Sequence, residues 1–105
     1  MDPQHAPTDP IPILNGYWQS CVLLAAVDLQ LPQALAGGPV TVHDIAGASH
    51  LDAEGVERIL RVLAAWGWVA HTDEQWRFSE TGRRFLHPDS PDCVLGIVRH
   101  HLRLM

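Results

Sequence analysis

The sequence contains no lysine at all and no arginine before Arg58. Its first 57 residues carry seven acids, and the remaining residues carry seven arginines and five acids, so the formal net charge is −5. An acidic first half of this length repels phosphate groups. We therefore expect neither a nucleic acid nor an anionic membrane surface as a partner.

Long apolar runs and cysteines are also scarce. The longest unbroken apolar run, Cys21 to Val27, has seven residues, whereas a membrane-spanning helix needs about 20. Cys21 and Cys93 stand alone in apolar stretches with a helical pattern, without the spacing of metal ligands. The N-terminus has acids and prolines where a secretory signal would have bases. We therefore expect a cytoplasmic protein with two reduced thiols.

Motifs that carry chemistry are missing as well. The eight glycines are never two residues apart, so there is no G-x-G turn, and without lysine there is no phosphate-binding P-loop. The adjacent His100 and His101 project about 100° apart on a helix and do not chelate from one face. Four further histidines fall in or beside turns without partner cysteines: His43, His50, His71 and His87. We expect no catalytic, cofactor-binding or metal-ligating residue in this chain.

Apolar periodicity predicts a mainly α-helical domain over residues 13–105, after a flexible proline-rich leader over residues 1–12. The first helix is predicted to begin at Ile13. Pro32 ends or kinks it, and opens a short second helix that runs through Ala36.

A helix-turn-helix is predicted at about residues 41–67. Thr41 is placed to cap a short helix, and Asp52 to cap a longer one with apolar residues at i, i+3, i+4 and i+7. Gly67 suits the left-handed residue that ends the second helix. Two short β-prone runs follow, and they predict a hairpin wing at about residues 68–79.

The last third of the chain is predicted to be helical again. Thr81 is placed to cap a brief turn from Gly82 to Leu86, and Asp92 to cap a last helix that continues to Met105. No glycine, proline or polar stretch ends that helix. We therefore expect this chain to be part of a longer protein; the alternative is that the final turn frays and the protein ends there.

The order of these segments resembles the dimerisation domain of bacterial natural-product O-methyltransferases and of their plant small-molecule relatives. The resemblance covers nearly the whole chain from residue 13. The segments that carry it are Ile13-Leu14-Asn15-Gly16-Tyr17-Trp18, Ala25-Ala26-Val27-Asp28-Leu29-Gln30-Leu31, Leu35-Ala36, Val42-His43-Asp44-Ile45-Ala46, Val56-Glu57-Arg58-Ile59-Leu60-Arg61-Val62-Leu63, Trp66-Gly67-Trp68-Val69 and Phe78-Ser79-Glu80-Thr81-Gly82-Arg83. The helix-turn-helix and the Phe78 segment also occur in many bacterial regulators. The first-helix segment and the position of the last helix are more particular.

The resemblance implies a winged helix-turn-helix flanked by N- and C-terminal dimerisation helices. In that family a separate doubly wound α/β domain binds S-adenosylmethionine and carries the catalytic base. This sequence lacks that domain, so we expect the chain alone to be inactive. The first helix of the family reaches the partner's active site and helps to enclose a small hydroxylated acceptor. Tyr17 and Trp18 are therefore candidates for lining the acceptor pocket; the alternative is that both pack within an interface.

Apart from the family resemblance, the strongest indication of function comes from the first and last helices. The first is apolar on every face from Cys21 to Val27, and the last has Leu95 and Leu104 off its main apolar stripe. A domain this small can cover only one face of such a helix with its own core. The remaining apolar faces therefore predict a symmetric homodimer; the alternative is a helix buried within a monomer. The predicted interface residues are Ile13, Leu14, Trp18, Val22, Leu95, Val98 and Leu102.

Two other functions fit the same elements. A winged-helix transcriptional regulator needs a basic stripe on its recognition helix, but residues 41–66 sum to −2, with two arginines against four acids. Arg58 and Arg61 follow Glu54 and Glu57 at i, i+4, which is typical of a solvated helix face. The second alternative is a stand-alone module that pairs with a separately encoded catalytic subunit.

Overall fold

The computed structural model describes residues 9–104, which form six α-helices and one three-stranded antiparallel sheet. The helices are α1 (Pro10–Asp28), α2 (Leu31–Ala36), α3 (Val42–Ser49), α4 (Ala53–Ala65), α5 (Glu80–Leu86) and α6 (Leu95–Arg103). The strands are β1 (Val40–Thr41), β2 (Val69–Thr72) and β3 (Gln75–Phe78), with β3 in the centre of the sheet. The predicted fold class is confirmed: α3 and α4 form the helix-turn-helix, and the β2–β3 hairpin forms the wing.

The first helix begins earlier than the sequence analysis predicts. Asp9 accepts a hydrogen bond from the Ile11 amide at 3.0 Å, and Pro10 takes the first helical position. A proline is tolerated there because the first amides of a helix have no partner within the helix. The predicted end of the leader at residue 12 is therefore wrong, and residues 1–8 lie outside the described part of the chain.

The predicted caps of the helix-turn-helix are confirmed. Thr41 Oγ1 accepts from the Asp44 amide at 3.1 Å, and Asp52 Oδ2 accepts from the Gly55 amide at 3.0 Å. Gly67 follows α4 with a φ of 84°, which glycine adopts without steric cost. Both side-chain caps bond to an amide three residues further on, so the pattern of the sequence is enough to locate them.

The strand β1 is not predicted by the sequence analysis. Val40 pairs with Trp76 and Thr41 with Gln75, so β1 joins the free edge of the wing to the start of the helix-turn-helix. A two-residue strand has no periodicity of its own. Its pairing is therefore visible only once the wing has been placed beside it.

The caps of the last two helices differ from the prediction. Ser79 rather than Thr81 caps α5, because its Oγ accepts from the Gly82 amide at 3.0 Å. Asp92 does not cap α6, because its carboxylate lies 3.1 Å from Arg84 Nε. Helix α6 begins after Val94 without a side-chain cap, and the Val94 amide donates instead to the Phe85 carbonyl at 2.8 Å.

One apolar core connects the terminal helices to the winged helix-turn-helix. Its largest fully buried side chains include Leu31 of α2, Leu60 and Leu63 of α4, and Leu95 of α6. Every helix contributes to it, as do β2 and β3. Its buried members are Ala26, Val27, Leu31, Leu35, Ile45, Val56, Leu60, Leu63, Val69, Trp76, Phe78, Leu86, Leu95 and Val98.

A close backbone approach holds α5 against the start of the wing. The Ser79 amide donates to the Trp68 carbonyl at 3.0 Å, and the Ser79 hydroxyl donates to the Gly67 carbonyl. Gly82 consequently lies so close that a Cβ built on it falls 1.8 Å from the Trp68 carbonyl oxygen. Only glycine fits at this position of the Phe78–Gly82 segment.

We expect Gly82→Ala to destabilise the domain by about 1–3 kcal/mol or more, because the added methyl group must displace backbone. Gly96→Ala is the matched control, since nothing lies within 4 Å of its Cβ position in α6. A helical Gly→Ala change there is expected to stabilise by up to about 1 kcal/mol. Thermal and urea unfolding measure both effects, and equal stabilities of the two variants would contradict the close approach.

Candidate functional site

The first half of α1 has little cover within its own protomer. Every residue from Pro10 to Ser20 except the half-buried Gly16 is exposed. Five of these exposed residues are large and apolar or aromatic: Ile11, Ile13, Leu14, Tyr17 and Trp18, with Tyr17 69% and Trp18 53% exposed. The second half is different, because Ala26 and Val27 are buried in the core. The predicted Val22 is half-buried at the junction between the two halves.

The exposed apolar residues of α1 lie together on one side of the helix. With about 100° per residue, Ile11, Leu14 and Trp18 form one stripe. Ile13 and Tyr17 form the neighbouring stripe, so the two stripes cover roughly 160°. We call these five residues the α1 apolar arc.

The opposite side of α1 faces the protomer. Gly16, Gln19 and Ser20 line a cleft of about 250 Å³ together with Trp66 and Trp68. The two tryptophan rings pack edge to face, with centroids 5.4 Å apart. A helix on the surface of a monomer normally turns its apolar side inwards. In α1 the polar side faces the protomer and the apolar arc faces away from it.

Helix α6 packs against α1 and has exposed apolar residues of its own. Leu95 and Val98 are buried in the protomer's core, at 1% and 8% exposure, and the predicted Leu102 is half-buried. The placement of Leu95 off the main stripe is therefore wrong, and neither Leu95 nor Val98 offers free area to a partner. The exposed residues are instead Ile97 and Leu104, which share one helix face at i, i+7.

The apolar arc also contains a titratable group. Hydrogen bonding with Cys21, one turn further along α1, raises the pKa of the Tyr17 phenol above its ordinary value, and the charge of the thiolate acts in the same direction. The phenol therefore stays neutral at neutral pH. It adds a hydroxyl group, and no charge, to an otherwise apolar surface.

The arginines of α4 are paired within the helix. Arg58 Nη2 lies 2.6 Å from Glu54 Oε1, and Arg61 Nη2 lies 3.3 Å from Glu57 Oε1. Both pairs are exposed, and each guanidinium has a carboxylate competing with any phosphate. The tip of the wing adds Asp73 and Glu74. This surface has the shape of a DNA-reading element without its positive charge.

Metal and cofactor sites are not formed by residues 9–104. No three His, Cys, Asp or Glu side chains in this part of the chain converge on a position for an ion. The sheet is antiparallel, and no glycine-rich turn leads from one of its strands into a helix. These residues therefore do not fit S-adenosylmethionine, which the resemblance implies for a separate domain. Within the same residues, no helix has both the length and the apolar character of a membrane span.

Comparison with known proteins identifies relatives of this fold. Residues 11–88 match the family model for the O-methyltransferase dimerisation domain. The chain is 29% identical over 96 residues to the probable bifunctional dTTP/UTP pyrophosphatase/methyltransferase protein of Homo sapiens, covering 90% of this chain and 16% of that protein.

Solved structures show the same similarity. An O-methyltransferase family protein from Burkholderia thailandensis superposes with a TM-score of 0.78 at 24% identity, over 93% of this chain and 30% of that one. CalO1, a methyltransferase in calicheamicin biosynthesis in its SAH-bound form, superposes with a TM-score of 0.70 at 28% identity, over 93% of this chain and 29% of that one. This chain thus spans less than a third of each of these proteins. The family match covers most of the sequence, and the chain therefore belongs to the O-methyltransferase dimerisation domain family.

Proposed function

We propose that two copies of this chain associate through the α1 apolar arc and the exposed face of α6, and that the dimer helps to enclose the acceptor of a small-molecule O-methyltransferase. Methyl transfer itself falls to an S-adenosylmethionine-binding domain, in a longer chain or in a separate subunit. Both cysteines are free, in agreement with a reducing, cytoplasmic environment.

The observation that carries this proposal is the outward direction of the α1 apolar arc. Leu14 and Ile13 are more than half exposed and point away from the protomer, whereas Gln19 and Ser20, although also exposed, border the cleft against Trp66 and Trp68. Burial of one such side chain stabilises by about 1.5–3 kcal/mol. A second copy offers the same arc in return, so an isologous contact covers both apolar faces at once.

The role in enclosing an acceptor rests on the aromatic residues of the arc and on the relatives. Tyr17 and Trp18 each combine a large apolar ring with one polar group, which suits contact with a hydroxylated aromatic molecule. The natural-product context is supported by the similarity to CalO1, a methyltransferase in calicheamicin biosynthesis. The use of S-adenosylmethionine is supported by the SAH bound to that same protein.

We expect light scattering of the purified chain to give a mass of twice 11.6 kDa, and we expect that mass to persist over a wide dilution series. The reason is that the apolar arc is too extensive to remain in water at micromolar concentrations. A monomer throughout the series would refute the proposed pairing.

We expect Leu14→Asp to weaken dimerisation roughly a hundredfold or more, because each dimer loses two buried leucines and gains two buried charges. Asn15→Asp is the matched control, since it adds the same charge at the next position of α1, outside the apolar arc. Both variants should retain the folded core, as measured by near-UV circular dichroism of the buried Trp76, because neither side chain packs in that core. Equal dissociation constants for the two variants would exclude the arc as the interface.

We expect the chain alone to show no saturable heat with S-adenosylmethionine in calorimetry and no methyl transfer to phenolic acceptors. The physical reason is that residues 9–104 contain no parallel strand that leads through a glycine-rich turn into a helix, which is the arrangement that holds the cofactor. A fusion of this chain to the catalytic domain of a relative is the positive control. Methyl transfer by this polypeptide alone would refute the proposal that a separate domain performs catalysis.

A further inference from the structure

A second candidate site lies on a part of the molecule that the proposed dimer does not use. It is a groove of about 280 Å³ between the end of α2, the loop into β1, the end of β3 and α5. None of its lining residues belongs to α1 or α6. They are Leu35, Ala36, Gly37, Gly38, Pro39, Arg77, Phe78, Arg83 and His87.

The groove joins an apolar inner wall to charged outer residues. Leu35 and Phe78 are buried members of the core, so the parts of them that line the groove form its inner wall. Arg77 and Arg83 are exposed at its opening. The groove therefore offers an apolar contact surface and two positive charges within the span of one small molecule.

Neither of these two arginines is neutralised by a neighbour. The ion pairs between residues 9 and 104 involve Arg58, Arg61 and Arg84, and no carboxylate in that range lies within 4.0 Å of Arg77 or Arg83. Glu80 and Asp89 line an adjoining groove that shares Arg83 and His87 with this one, but neither carboxylate lies within 4.0 Å of Arg77 or Arg83. The groove therefore carries two unpaired positive charges, although the net charge of the whole chain is −5.

His87 supplies a further donor beside the arginines. Its Nδ1 accepts a hydrogen bond from the Asp89 amide at 3.0 Å, so in the neutral ring the proton resides on Nε2. The ring lies 6.0 Å from the Phe78 ring, tilted by 52°. Nε2–H is consequently available as a donor next to an aromatic surface.

We infer that this groove binds an oxyanion carried on a flat apolar group, that is, an aromatic carboxylate or an aromatic phosphate ester. The guanidinium groups of Arg77 and Arg83 hold the oxygens by charge-assisted hydrogen bonds, and His87 adds a third donor. The apolar body of the ligand packs on Ala36 and Pro39, which are accessible, above the buried Leu35 and Phe78. This inference does not rest on the proposed dimer, because no residue is shared between the two surfaces.

The test is a titration of the ¹⁵N-labelled chain with three probes: benzoate, phenyl phosphate and inorganic phosphate. We expect saturable shifts of the Gly37, Gly38 and Phe78 amides with benzoate or phenyl phosphate, and whichever probe binds more tightly identifies the oxyanion. Arg77→Gln and Arg83→Gln should each weaken that binding about tenfold.

Arg84→Gln is the matched control, because it removes the same charge from the next position of α5 while Arg84 itself is paired with Asp92. It should leave the affinity within about twofold of the parent. Three results would overturn the inference: no saturable shift with any probe, inorganic phosphate binding as tightly as the aromatic probes, or an equal loss in Arg84→Gln. Unchanged shifts of core amides in all variants establish that the fold is retained.

Discussion

The division of α1 into a second half that packs in the core and a first half with an exposed apolar arc determines how the other elements are arranged. Its second half buries Ala26 and Val27 against α2, α4 and α6, and so completes the core of the winged helix. Its first half extends beyond that core with its apolar arc facing solvent. Since an unpacked helix of this length is marginal in water, tertiary or quaternary packing has to supply its stability. One helix thus contributes to the core with its second half and exposes an apolar surface with its first half.

The wing and the helix-turn-helix are connected at two separated points. At one, Ser79 and Gly82 hold the start of α5 against the backbone of Gly67 and Trp68. At the other, β1 pairs with the free edge of β3. These contacts fix the hairpin to both ends of the helix-turn-helix, so the groove between α2, β3 and α5 is bordered by rigid elements.

Features set by near neighbours were predictable from the sequence, and features set by distant contacts were not. The caps Thr41 and Asp52 depend on amides three residues away, and the apolar spacing of α4 indicates its buried side directly. Asp92 looks the same in sequence but pairs with Arg84 instead. Of the α6 residues, Leu95 was predicted at the wrong face because the packing of α6 on α1 decides which side is buried. The groove could not be predicted, since its residues come from three separate segments of the chain.

The tip of the wing is acidic, so this domain has the shape of a DNA-binding winged helix without the positive charge that DNA binding needs. Asp73 and Glu74 occupy a two-residue turn with φ of 53° and 67°, and both side chains are exposed, as are Arg58 and Arg61 on α4. None of the four supports the core. Reversal of charge at such positions would leave the core intact, so the charge of this surface can change without a change of fold.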